Sequence, residues 1–232
     1  MAEPNRRRII GLAVVSLFLT TGIWALDKET VIDRRDDGRY SLIGVKLGGW
    51  SNQSDDVAID PLVAADMPET GFFTEVFYDH RFTPAILAEF SLGAISRGEA
   101  RISRYDDEYI GPLNLYPFLV MIKVSPLSGR NRSLHPFLVA GGGFVFGRQS
   151  VEIIRSADPF YDRYFVEKTQ TDFTWSAGGG IDFAVAEQFG ITVGAKYMPV
   201  AFSNGLAGIK DYSGFSIALG FSYHLYKKEK KP

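Results

Sequence analysis

Residues 171–185 read "TDFTWSAGGGIDFAV", and every second position is apolar: Phe173, Trp175, Ala177, Ile181, Phe183 and Val185. Asp172, Thr174, Ser176, Gly178, Gly180, Asp182 and Ala184 stand between them. A period of two belongs to a β-strand with one apolar face and one polar or small-residue face. The fold turns on which of these faces meets water.

The same alternation recurs along the chain. It predicts eight strands, at about 40–50, 71–82, 86–97, 113–124, 134–147, 172–185, 189–201 and 214–226. No segment past the first 25 residues has helical periodicity, and no linker or repeat divides the chain. The composition agrees: aromatic residues make up 14% of the 232 positions and there are 24 glycines, a mixture that suits strands and tight turns. The formal net charge of −2 gives no reason to expect a nucleic-acid partner. With no cysteine, disulfides, thiolate metal sites and cysteine nucleophiles are excluded.

The N-terminal "MAEPNRRRIIGLAVVSLFLTTGIWA" has a basic stretch, a short apolar run and Ala25 at a cleavage point. It reads as a signal peptide over residues 1–25 and predicts export from the cytoplasm. Residues 26–39 are charged and aperiodic, a periplasmic lead-in. Residues 40–226 form one all-β domain, and 227–232 a charged tail.

Connection lengths alternate. "TPA" (83–85), "SPLSGRNRS" (125–133) and "EQ" (187–188) are the shorter links. The first connection, "GEARISRYDDEY" (98–109), "RQSVEIIRSADPFYDRYFVEKTQ" (148–170) and "SNGLAGIKDYS" (203–213) are the long ones. An up-and-down meander therefore carries four long loops at one end and both chain ends at the other, the layout of an outer-membrane barrel.

Physical chemistry assigns the faces. Eight strands enclose room only for side chains or one small ligand, so the rows of Phe, Trp, Ile, Leu and Tyr would overfill the interior. Turned to water, each large side chain would forgo roughly 1.5–3 kcal/mol; against lipid that penalty vanishes. The polar face then lines the lumen, placing Lys46, Glu75, Asp79, Arg81, Glu89, Lys123, Asp182 and Lys196 inside as four cations and four anions. Buried charges must be paired, so these residues are expected to form a salt-bridged plug, with an ion path as the alternative. Inward Gly141, Gly143, Gly178, Gly180, Gly194 and Gly220 leave room for them. Two aromatic girdles are expected: Tyr78, Phe82, Phe137, Phe183, Phe189 and Tyr223 near the short turns, and Phe72, Phe144, Phe146, Phe173, Trp175 and Phe215 near the long loops.

Three stretches, "LHPFLVAGGGFVFG" (134–147), "TDFTWSAGGGIDFAVAEQFGITVGAKYM" (171–198) and "GFSIALGFSYHLY" (214–226), give a proline-aromatic start with alternating glycines, a glycine-rich hairpin and a closing alternating strand. In this order and spacing they resemble the outer-membrane β-barrel family that includes the transmembrane domain of outer-membrane protein A, over about residues 40–226. The resemblance implies an eight-stranded antiparallel up-and-down transmembrane barrel in the outer membrane of a diderm bacterium. It also implies a C-terminal assembly signal at Gly220, Tyr223 and Leu225, read by the outer-membrane assembly machinery. Many relatives end at the last aromatic, whereas this chain continues as "KKEKKP".

No catalytic constellation is expected. The three histidines, His80, His135 and His224, fall at the short-turn end, away from where lipid A chemistry would occur, and no His-x-Ser pair is present. The acidic pairs Asp55–Asp56 and Asp106–Asp107 lack the ligand spacing of a calcium loop. No metal and no cofactor is predicted. The expected partners are outer-membrane lipids and lipopolysaccharide, the assembly machinery, and a surface ligand for the four external loops, suggested by the aromatic and mixed-charge "RSADPFYDRYFVEK" (155–168). The functional expectation is a structural or surface-interaction barrel. A narrow porin for small polar solutes and a lipid A-modifying enzyme are the alternatives.

Overall fold

The computed structural model describes residues 40–53, 64–66, 68, 70–83, 85–104, 107–126, 134–155, 163–186, 188–206 and 209–226. The expectations for residues 1–39 and 227–232, and for Asp55, Asp56 and Asp106, lie outside them.

Eight strands build the wall: β1 (Tyr40–Asn52), β3 (Thr70–Thr83), β4 (Ile86–Arg104), β5 (Asp107–Val124), β6 (Leu134–Arg155), β7 (Arg163–Ala184), β8 (Phe189–Met198) and β11 (Gly214–Tyr226). Each pairs antiparallel with its neighbour in the order β4-β3-β1-β11-β8-β7-β6-β5, and the β4–β5 ladder closes the ring. Closure leaves no sheet edge along the shared height of the wall. A three-residue strand, β2 (Ala64–Asp66), pairs with Arg101–Ser103 of β4. A separate two-stranded sheet joins β9 (Ala201–Leu206) to β10 (Ile209–Asp211). No helix occurs among the described residues.

The alternation of 171–185 is realised as read. Phe173, Trp175 and Val185 are exposed on the outer surface, while Thr174 and Ser176 are buried inside. A band of large apolar side chains points outward around the wall: Ile43, Val45, Leu47, Val76, Phe90, Leu92, Phe118, Val120, Ile122, Val193, Ile217, Leu219 and Phe221 are all exposed. On β5 this outer row runs from Val124 through Tyr116, then gives way to Asn114. At roughly 3.3 Å per residue that run is about 26 Å long; tilted as barrel strands are, it spans about 20 Å of height, close to the ~25 Å belt of a membrane barrel. The register carries the boundary sideways: Tyr116 pairs with Phe146, and the next outward row is Asn114 opposite Arg148 opposite Thr169.

Aromatic contacts mark both borders of the belt. Phe144–Phe173, Trp175–Tyr197 and Tyr197–Phe215 pack at ring-centroid distances of 6.0, 5.8 and 4.8 Å near one end. Phe189–Tyr223 and Tyr78–Phe90, at 5.4 and 6.4 Å, lie towards the other. One girdle assignment is corrected. Phe137 is buried inside the barrel, because it shares the parity of Gly141 and Gly143 along β6.

Strand lengths depart from the sequence reading on one side. Much of the stretches read as loops at 98–109 and 148–170 is strand: the β4–β5 ladder continues to Arg104↔Asp107 and the β6–β7 ladder to Ile154↔Arg163. These hairpins rise beyond the belt, whereas β1, β3, β8 and β11 stop at Asn52, Thr70, Met198 and Gly214. Mixed charge breaks up the alternation in the sequence, but the register still lines up Ile102, Tyr109, Ile153 and Tyr164 across the four strands. Gly98, with φ of +78°, sits where the β4–β5 register shifts and β3 ceases to pair with β4. A left-handed residue of this kind is glycine's role at a bulge.

Candidate functional site: a layered lumen

Strand parity turns all eight sequence-predicted lumen charges inward, and seven of them pair with one another in two groups. In the first, Lys46 of β1 donates to Glu75 of β3 and Glu89 of β4, both at 2.9 Å. Lys196 of β8 bonds the other carboxylate oxygen of Glu75. Two cations and two anions balance here. In the second, nearer the short turns, Lys123 of β5 meets Asp182 of β7 at 2.8 Å and Asp79 of β3 at 3.3 Å. The eighth, Arg81, is buried in the same end and its Nε donates to the carbonyl of Thr83 at 3.1 Å.

The register explains why these residues meet. Lys46 lies directly opposite Glu75 on the adjacent strand; Asp79 and Glu89 also lie opposite one another, and the two carboxylates take separate lysines, Lys123 and Lys46. Gly220 beside Lys46, and Gly178 beside Lys196, keep the space that the lysine stems occupy; a Cβ on either would come within 3.0 and 2.8 Å of a lysine Cγ. The narrow lumen thus interleaves long cationic side chains with positions that have none.

The lysines also lie over inward phenylalanine rings that the sequence reading did not place there. Lys46 Nζ is 4.3 Å from the centroid of Phe77, Lys123 Nζ 4.2 Å from Phe137, and Lys196 Nζ 5.7 Å from Phe73. A cation over an aromatic face gains about 0.5–2 kcal/mol, more as water is excluded. The missed signal was parity: Phe73 and Phe77 share the phase of Glu75 and Asp79 on β3.

Towards the long-loop end the lumen is mainly apolar, with Arg97 and Gln149 also buried there. Trp50, Phe73, Ile95, Leu113, Leu115, Leu119 and Val145 face inward, buried, and are joined there by Val200, Phe202, Leu206, Ile209 and Tyr212 from the connection between β8 and β11. This corrects the reading of "SNGLAGIKDYS" as a displayed loop. The seventh predicted strand likewise ends at Met198, not 201, because Pro199 supplies no N–H for the ladder. Its spacing of large apolar residues would have announced the inward fold.

The histidines do not converge. His80 is exposed on the outer surface, whereas His135 and His224 have inward parity at the short-turn end. In the closing strand Gly220 faces the lumen, and Tyr223 and Leu225 are on the exposed outer face.

No protein-family model and no curated protein sequence matches the chain. Solved structures do match its fold. The outer membrane protein OprG from Pseudomonas aeruginosa is similar over 82% of this chain and 97% of that one, at 12% identity and a TM-score of 0.55. Neisserial surface protein A matches over 79% and 96%, at 12% identity and a TM-score of 0.49. A major outer membrane protein from Thermus thermophilus matches over 81% and 99%, at 9% identity and a TM-score of 0.48. Closed ring, antiparallel order and the likeness to OprG agree: the chain has the fold of the eight-stranded outer-membrane β-barrels.

Proposed function

We propose that the protein is a non-enzymatic outer-membrane barrel with a structural or surface-interaction role. The observation that carries this reading is the pairing of an apolar outer belt with a lumen filled by neutralising charges and apolar side chains. The belt is stable only against hydrocarbon, and the lumen resembles the inside of a plug rather than a conduit. On this reading residues 1–25 direct export, outer-membrane lipids and lipopolysaccharide surround the belt, and the assembly machinery reads Gly220, Tyr223 and Leu225. The tall β4–β5 and β6–β7 hairpins stand beyond the belt as the surface available to a ligand. Arg148 and Glu167 pair on that outer surface just above Phe146, as suits the polar side of a membrane boundary.

The filled lumen counts against a narrow porin. The position of all three histidines at the short-turn end, with His80 on the outer face, counts against a histidine-centred lipid-modifying site among the long loops. The experiment is fractionation of cells expressing the chain, followed by gel migration of the unboiled and boiled protein and by mass spectrometry of lipid A. The proposal predicts recovery in the outer-membrane fraction, a mobility shift on boiling and unchanged lipid A. Recovery as a free periplasmic protein, or altered lipid A, would overturn it.

A further inference from the structure

The connection between β8 and β11 is built as a self-contained unit. After Met198 pairs with Gly214, the chain leaves the wall at Pro199, forms β9 and β10, and rejoins it at Gly214. Val200, Phe202, Leu206, Ile209 and Tyr212 are at most 2% exposed. Among the described residues it hydrogen-bonds within itself: Tyr212 N–H to Val200 O at 2.7 Å, Val200 N–H to Ser213 Oγ at 3.0 Å, and Tyr212 hydroxyl to Leu206 O. At its ends, Gln53 N–H reaches Ser213 O at 2.9 Å and the Thr174 hydroxyl donates to Pro199 O. Among the described residues no ladder joins β9 or β10 to the wall.

The wall is shaped to receive it. Gly147 of β6 faces inward, and a Cβ there would stand 2.3 Å from Leu206 Cδ1 and 2.8 Å from Phe202 Cζ. Beneath lies a narrow gap lined by Phe73, Lys46, Lys196, Thr192, Ser216 and Ala218. Side-chain packing holds the unit in the mouth, so lifting it out breaks no strand pairing of the barrel.

We propose that residues 199–206 and 209–213 form a detachable strap that seals the outer mouth of the lumen. Its withdrawal admits solvent down to the Lys46–Glu75–Glu89–Lys196 layer while the wall stays intact. The device is separate from the ion pairs: the strap governs access, and the charged layer governs what remains beneath.

Because the chain has no cysteine, a single introduced thiol reports access without background. Ser216→Cys places it in the gap, where Ser216 is 3% exposed. The full chain, folded in detergent micelles, is treated with a charged methanethiosulfonate and the mass shift followed in time. With the strap intact, reaction is slow. Adding Gly147→Leu, which fills the seat, or Phe202→Ala with Leu206→Ala, which strips the strap, raises the rate at least tenfold while the mobility shift on boiling persists. Fast reaction with the strap intact, or no acceleration in a variant that keeps its mobility shift, would overturn the proposal. So would loss of the folded barrel in both variants, since a detachable strap leaves the wall able to form.

Discussion

Lys196 on β8 bonds Glu75 on β3, three strands away around the ring, and Lys46 from β1 between them shares the same carboxylate. Glu75 thus binds both lysines of the upper group, while Glu89 meets Lys46 there.

From that follows a graded loss. Glu75→Gln leaves Lys196 without its carboxylate and is expected to destabilise the barrel by about 3–5 kcal/mol. Glu167→Gln, which breaks a half-exposed pair with Arg148, is expected to cost at most about 1 kcal/mol. Urea unfolding of the protein in lipid vesicles, followed by tryptophan fluorescence, measures both.

Phe137 tests the inward aromatic layer. Phe137→Leu keeps an apolar side chain but removes the ring beneath Lys123, so stability should fall by about 0.5–2 kcal/mol. If Phe137 belonged to the outer belt, the same change would leave stability nearly unaltered in the same unfolding assay.

Glycines on opposite faces should respond oppositely. At Gly141 a Cβ would lie 2.2 Å from Val120 O and 2.5 Å from Met121 Cα, both backbone atoms that cannot step aside. At Gly49 the nearest atom is 4.0 Å away. Gly141→Ala is therefore expected to lower stability by about 1–3 kcal/mol, and Gly49→Ala to leave it within about 0.5 kcal/mol. The fraction of unboiled protein with folded mobility at increasing temperature distinguishes them.

An arginine on the belt gives a depth-dependent penalty. Val120→Arg, in the middle of the β5 run, should cost about 2–4 kcal/mol, and a change at Asn114 beyond the boundary about 0–1. Vesicle-refolded protein, unfolded in denaturant, supplies both values.

The wall was legible in the sequence because its two faces obey different chemistries at a fixed period. Each alternation fixed a strand, and inward charges followed from outward apolar neighbours, as with Leu47 beside Lys46 and Phe90 beside Glu89. What the sequence hid were positions where one parity carries a residue typical of the other face. Phe73, Phe77 and Phe137 are aromatic yet inward, since the lysine stems need apolar surroundings and the cations accept a ring face. The tall hairpins were hidden because charged residues interrupt the alternation there: Arg101, Arg104, Asp107 and Glu108 in one, and Arg148, Glu152, Arg155 and Arg163 in the other. The strap was hidden because glycine, asparagine and lysine in "SNGLAGIKDYS" resemble a solvated loop, while its Leu206, Ile209 and Tyr212 are spaced to fill the mouth.

Orientation of the sheet carries everything else, and spin labels measure it. With labels introduced singly at Leu219 and at Thr192 in vesicle-embedded protein, collision with dissolved oxygen is compared with collision with a water-soluble nickel chelate. Leu219 is exposed on the outer face and Thr192 is buried within. The account predicts oxygen-dominated collisions at Leu219, as in acyl chains, and little collision with either agent at Thr192. Chelate-dominated collisions at Leu219, with oxygen-dominated ones at Thr192, would contradict it.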